Sequence, residues 1–238
     1  MSRHVVVTGG GSGIGRAIAA RFAAAGDSVV ILGRRANVLA DTAAVLSGCV
    51  RTVVCDASDP ESVSGAITQM PDKVDVLVNN AGGRARGVYE GLAGLRDQWL
   101  ADFECNVLPA VLMTAALEDR LTVPGGRIIT ISSLAALRGN GSYGAAKAAL
   151  HAWNHSLAAQ WGPRGVTANV VVPGFIASTE FFGDLPEGEL ARRAKQTLVG
   201  RVGQPEDIAS CVSFLASPEA GYITGELLHS NGGAMLGR

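Results

Sequence analysis

Aromatic residues are scarce in this chain, 5% of 238 residues against 31 glycines. Such a composition excludes a core built on large rings and fits tight strand-to-helix turns with helices packed closely on a sheet. Net charge is also nearly absent, −1 with acids and bases mixed along the length. That leaves no electrostatic footprint for nucleic acid or an anionic membrane surface. The cysteines are few, and Cys49, Cys55, Cys105 and Cys211 lack metal or redox spacing; they read as free buried thiols in a reducing compartment. No apolar run approaches the roughly 18 residues of a membrane span, and a strand begins almost at the N-terminus. Neither a span nor a signal peptide is expected, and a cytoplasmic location is. The glycine-rich turn after the first strand lacks the usual G-x-G-x-x-G dinucleotide spacing too.

What is present is a hydrophobic fraction of 47%, enough for a substantial core. Short Val/Ile/Leu runs at 5–7, 29–32, 52–54, 74–78, 128–131, 166–172 and 226–229 alternate with helix-like stretches. The helices are expected over 13–25, 36–46, from near Pro60 with Asp59 as N-cap, 95–121, around Tyr143 up to Gly162-Pro163, 187–198 and 205–215. Continuous apolar runs indicate strands covered on both faces. Seven such steps predict an α/β fold: a doubly wound, parallel, seven-stranded sheet of Rossmann type with helices on both faces. No repeat or linker divides the chain, so 1–238 is expected to be a single domain.

Two stretches carry chemistry. Thr8-Gly9-Gly10-Gly11-Ser12-Gly13-Ile14-Gly15 lies between the first strand and the first helix. Glycines there let the backbone turn sharply and approach a pyrophosphate that the helix N-terminus stabilises. A Gly-rich turn can also be only a turn. The second stretch runs from Ser132-Ser133, at the carboxyl end of the fifth strand, to Tyr143 and Lys147. Four residues apart on a helix, Tyr143 and Lys147 share a face. An ammonium about 4 Å from a phenol is worth roughly 4 kcal/mol at an effective dielectric near 20. That is up to about 3 pKa units before any dehydration cost, enough to let a tyrosine pass a proton near neutral pH. Such pairs are also common on ordinary helices.

Taken with Asn79-Asn80-Ala81-Gly82, Asn106 and Pro173-Gly174, these stretches resemble the short-chain dehydrogenase/reductase family from Thr8 to about Gly233. The resemblance implies a nicotinamide dinucleotide and hydride transfer between an alcohol and a carbonyl. It implies Tyr143 as the acid or base, Lys147 lowering its pKa and holding the nicotinamide ribose, and Ser133 bonding the substrate oxygen. Asn106 would position a water for the proton relay. Ser133 lies ten residues before Tyr143, about three fewer than in many members. Ser132 is the alternative, and Ser133 is chosen because the family places its serine second in such a pair.

The cofactor contacts implied are Gly9, Ser12, Gly13, Ile14 and Gly15 in the first turn, Asp56 and Ala57 after the third strand, and Asn80, Ala81 and Gly82 along the adenosine ribose. Pro173, Gly174, Ile176 and Ser178 would pack against the nicotinamide, with Tyr143 and Lys147. Asn79 resembles an asparagine that bridges neighbouring strands. Gly33 stands where an NAD site supplies an acid, and Arg34 and Arg35 follow. Guanidinium forks suit a 2′-phosphate, so NADP(H) is favoured over NAD(H); the alternative is a pair of surface arginines. A substrate lid is expected at about 177–198.

A carbonyl reductase or alcohol dehydrogenase acting on a small carbonyl or secondary alcohol is the first reading. A 3-oxoacyl-carrier-protein reductase, with an acyl carrier protein as partner, competes through Gly200-Arg201-Val202-Gly203-Gln204-Pro205. A non-catalytic NADP sensor is the rival of another class; all four catalytic residue types weigh against it. The family's self-association implies a homodimer or homotetramer through the helices starting near Leu95 and Tyr143. His151 and His155 have i,i+4 spacing without a nearby third ligand, so no metal is expected.

Overall fold

The computed structural model describes residues 2–85, 87–177, 186 and 188–236. Ser178 and most of the first half of the expected lid, 178–185 and 187, lie outside the described residues. The chain begins β1 (His4–Thr8), α1 (Gly13–Ala24), β2 (Ser28–Gly33), α2 (Ala36–Val45), β3 (Cys49–Val54), α3 (Pro60–Ile67) and β4 (Val76–Asn79). It continues through α4 (Gly91–Asn106), α5 (Leu108–Ala116), β5 (Arg127–Ile131), α6 (Ala135–Arg138), α7 (Gly141–Trp161) and β6 (Thr167–Pro173). It closes with α8 (Glu189–Ala194), α9 (Pro205–Leu215) and β7 (Leu227–Ser230).

All seven strands are parallel, in the order β3-β2-β1-β4-β5-β6-β7, as the apolar runs predict. Alternate residues of one strand feed opposite cores. Val5 and Val7 of β1 pack with Ile18 and Phe22 of α1 and Ile208 and Val212 of α9. Val6 faces Met113, Leu157 and Trp161 on the other side. The order reverses between β1 and β4, and the crevice outside the carboxyl ends of strands at such a reversal is where open α/β sheets bind ligands.

Local rules account for the boundaries. Asp59 caps α3, accepting the Ser62 N–H at 2.9 Å, with Pro60 at the first helical position. α9 starts with a reciprocal capping box between Gln204 and Asp207, and the Asp207 carboxylate also takes a two-bond fork from Arg201 at 2.6 and 2.8 Å. The segment expected as one helix over 95–121 is instead two, α4 and α5. Pro109 lies in the first turn of α5, and a proline there removes an N–H and crowds the preceding turn. The thiols also differ from expectation: Cys55 is buried, but Cys49 is exposed and Cys105 and Cys211 half-buried. β3 is an edge strand whose residues alternate between covered and open, which puts Cys49 outside.

Candidate active site

The first turn is built from main chain. Gly9 has a φ of +64°, and a Cβ at Gly15 would stand 2.1 Å from the Gly9 carbonyl oxygen. Only glycine at position 15 permits that approach. The first main-chain bond of α1 runs from Arg16 N–H to Ser12 O at 3.1 Å. Ser12 makes no side-chain cap bond, and the first turn carries no acid. The N–H groups of Gly13, Ile14 and Gly15 therefore precede the helix's own ladder, at its positive end. These residues fit the pyrophosphate of a dinucleotide.

Neighbouring groups frame that turn. Asn80 donates its side-chain amide to the carbonyls of Thr8 at 2.9 Å and Gly9 at 3.2 Å, and the N–H groups of Asn80 and Ala81 both donate to Thr8 Oγ1 at 2.9 Å. Asn79 instead donates to Thr114 Oγ1 of α5 at 2.9 Å. The asparagine bridging strand ends is thus Asn80, not Asn79; Asn79, the last residue of β4, points off the sheet face to α5, whereas Asn80 has left the strand and can turn toward the end of β1. The Asp56 carboxyl accepts the N–H and hydroxyl of Ser58 at 3.0 and 2.7 Å. Despite burial, those bonds and nearby Arg34 hold it below its ordinary range. Arg34 is well exposed, 3.9 Å from Asp56, while Arg35 occupies the N-cap position of α2 without a side-chain capping bond. A Cβ at Gly33 would meet only the Leu39 side chain among the described residues, Cδ2 at 3.5 Å and Cγ at 3.9 Å. Position 33 therefore has room for a side chain that the sequence does not provide.

The second group assembles over β5. The hydroxyls of Ser133 and Tyr143 are hydrogen-bonded, and Ser133 Oγ also accepts the Ala135 N–H at 3.1 Å. Ser132, the alternative serine, points elsewhere. Its Oγ lies 2.7 Å from His151 Nε2 and donates toward the Lys147 carbonyl at 3.2 Å. Lys147 is buried, and its Nζ donates to the Ile131 carbonyl at 3.2 Å. Asn106 is held by Gly83 through Oδ1 at 3.1 Å and Nδ2 at 2.7 Å. A Cβ at Gly82 would stand 2.7 Å from Asn106 Oδ1 and 3.0 Å from Lys147 Nζ. The glycine is what lets β4's end sit between those two side chains.

Burial governs the electrostatics here. It pulls the Lys147 ammonium from 10.5 to about 8 and pushes the Tyr143 phenol up, against the pull of Ser133 and Arg84 and with added pushes from Cys105 and Asp102. The expectation that Lys147 lowers the phenol does not hold in this arrangement. Its ammonium turns to the Ile131 carbonyl, and burial acts most strongly on the phenol, with Lys147 not among the groups that shift it. Burial likewise drops His151 to about 4, helped by His229, His155 and Lys147.

The structure thus brings Asn106, Ser133, Tyr143 and Lys147 to the carboxyl ends of β4 and β5, with the glycine turn at the carboxyl end of neighbouring β1. Pro173, Gly174 and Ile176 stand at the end of β6, fixed by Leu134 N–H to Pro173 O at 2.8 Å and by Gly174 N–H to Ser230 O at 3.0 Å. Sequence reasoning missed Asp102, a buried carboxyl in the same cluster. Its signal was an acid four residues before Asn106, on the face that α4 buries.

Such a fold and site define a dinucleotide-binding oxidoreductase on a doubly wound sheet. The family model described as enoyl-(acyl carrier protein) reductase matches residues 9–235. The short-chain reductase protein NovJ of Streptomyces niveus is 37% identical, over 96% of this chain and 92% of the relative. The 3-oxoacyl-[acyl-carrier-protein] reductase FabG of Escherichia coli is 38% identical over 97% and 96%. A blue fluorescent protein from a metagenomic library, solved in complex with NADPH, superposes with a TM-score of 0.84 at 33% identity, covering 98% of both chains. The chain belongs to the short-chain dehydrogenase/reductase family and is an NAD(P)-dependent oxidoreductase. No described helix is long and apolar enough to cross a membrane.

Proposed function

We propose that the protein is an NADP(H)-dependent carbonyl reductase acting on a small ketone or its secondary alcohol, with Tyr143 as proton donor. One observation carries this reading: Tyr143 is buried and hydrogen-bonded to Ser133, with Lys147 buried one helical turn further along α7. A phenol carries its proton at neutral pH, and one directed to the same point as a serine hydroxyl can pass that proton to a carbonyl oxygen held between them. Ser133 orients the carbonyl oxygen against the phenol, and Lys147 with Asn106 supplies the route by which the proton is replaced. The dinucleotide, when bound, provides the hydride. Gly13, Ile14 and Gly15 would hold its pyrophosphate, Asp56 and Ala57 its adenine, Ala81 and Gly82 its ribose, and Pro173, Gly174 and Ile176 the nicotinamide. Arg34, solvent-facing beside the acid-free position 33, would take a 2′-phosphate, and the NADPH-bound neighbour supports that preference.

The relatives named as 3-oxoacyl-[acyl-carrier-protein] reductases support a second reading, in which the substrate is an acyl thioester on a carrier protein. Assays with NADPH and NADH against ketones, free acyl thioesters and carrier-bound thioesters test both. Turnover of ketones alone selects the first, a carrier-dependent gain selects the second, and dinucleotide binding without any turnover refutes both. A homodimer or homotetramer fits the apolar Leu92, Leu95, Trp99 and Leu100 that α4 presents to solvent. Light scattering distinguishes these from a monomer. The free thiols agree with a reducing, cytoplasmic setting.

A further inference from the structure

α4 buries its polar residues and exposes its apolar ones. Asp102 and Asn106 are the buried pair, whereas Leu95, Trp99, Leu100 and Phe103 are open. Asp102 is 3% exposed, a placement that costs several kcal/mol for a carboxylate unless its oxygens are satisfied. Oδ1 accepts the Ala85 N–H at 2.9 Å, and Oδ2 accepts the Ser142 hydroxyl at 2.6 Å. Ala85 follows Arg84, and Ser142 precedes Tyr143. One carboxylate therefore joins the immediate neighbours of two groups that face each other: the Arg84 guanidinium lies 5.6 Å from the centre of the Tyr143 ring.

We propose that Asp102 is a positioning residue of the reaction. It clamps the loop after β4 to the first turn of α7 and so holds the Arg84 guanidinium across the Tyr143 ring. The proposal rests on Tyr143 being the proton donor. Ser133 faces the phenol from the end of β5, Arg84 from the loop, and Cys105 and Asp102 from α4, with Lys147 one helical turn further along α7. Arg84 favours the phenolate and Asp102 opposes it. The clamp thus sets how much of the cation the phenol senses, since a shift of an ångström or two changes such an interaction measurably.

The test needs no substrate. Tyrosinate absorbance of the intact chain minus that of Tyr143→Phe, read after stopped-flow pH jumps, follows the Tyr143 phenol alone. Arg84→Gln is expected to move its titration up by about half a pH unit or more. Asp102→Asn keeps the shape and the bond from Ala85 N–H, and its amide can donate to Ser142 Oγ in place of accepting from it, but the charge is removed, so the titration moves down. Asp102→Ala loses the clamp as well and titrates above Asp102→Asn. The gap between those two variants isolates the clamp and is expected to vanish in the Arg84→Gln background. A gap that persists there, or Asp102→Asn and Asp102→Ala titrating alike, overturns the proposal. Should Asp102→Ala not fold, Ser142→Ala opens one arm and keeps the charge. Its upward shift should disappear with Arg84→Gln, and persistence again overturns the idea. Turnover surviving in Tyr143→Phe would instead refute Tyr143 as donor while leaving the phenol titration readable, so the two failures are distinct.

Discussion

The turn from Thr8 to Gly15 and the cluster around Tyr143 lie at the same end of the sheet, the carboxyl ends of its strands, but their materials differ. The turn consists of main-chain N–H groups and glycines that touch other main-chain atoms. The cluster consists of buried side chains drawn from α4, α7 and the ends of β4 and β5. A backbone device is limited by space: it tolerates almost any chemistry nearby but no added Cβ. A side-chain device is limited by dehydration, which moves Lys147 down and Tyr143 up while the helix keeps its shape. Loss at the first should appear as lost dinucleotide affinity, and loss at the second as lost rate.

The largest effect is expected from Tyr143→Phe, which removes one oxygen and leaves the ring packed. The reductase kcat should fall about 10³-fold with dinucleotide Kd unchanged within about twofold. A Kd that rises instead would erase the division between affinity and rate. Gly15→Ala should do the reverse. Its Cβ would meet the Gly9 carbonyl oxygen at 2.1 Å, so dinucleotide Kd, followed by quenching of tryptophan fluorescence, should rise roughly tenfold or more.

A smaller effect tests the one place near the turn where a side chain decides. Gly33→Asp has room beside Leu39, and its carboxylate suits ribose hydroxyls while repelling a 2′-phosphate. The ratio of kcat/KM with NADH to that with NADPH should rise about tenfold. An unchanged ratio would show that Arg34 does not face the phosphate. The subtlest outcome concerns Lys147. Its folded pKa of about 8 lies below the ordinary 10.5, so between those values the unfolded chain holds a proton that the folded chain has released. Stability then rises with pH across that window. Relative to Lys147→Met, urea midpoints of the unsubstituted chain should improve from about pH 8 to about 10.5 and stay level below it. A flat difference throughout would mean that the ammonium keeps its charge when buried.

Much of this was legible in the linear chain. Apolar runs without alternation identified strands covered on both faces, and the glycines between the first run and the first helix marked the turn, because both features are local. The Tyr143–Lys147 spacing was legible for the same reason: helix geometry puts the two on one face. The failures are equally specific. The break between α4 and α5 came from Pro109, which a composition-level reading of a long apolar stretch overlooks. Asn79 was expected to bridge neighbouring strands, but it points to Thr114 of α5 and the bridge to β1 comes from Asn80, the first residue past β4. Asp102 went unread although it stands one helical turn before Asn106, since that spacing marks a shared face and not a dry one until Ala85 and Ser142 arrive beside it.

By itself, then, the sequence determined the parallel sheet, the glycine turn, the residue types of the site and the absence of an acid at position 33. Only the tertiary structure decided which partners those residues meet and how dry their surroundings are. Lys147 faces the Ile131 carbonyl, Ser133 rather than Ser132 meets Tyr143, and Asp102 spans two segments. The physical reason is range: dihedral preference and periodicity act over a few residues, whereas dehydration and charge act through space between groups the chain separates by tens of residues.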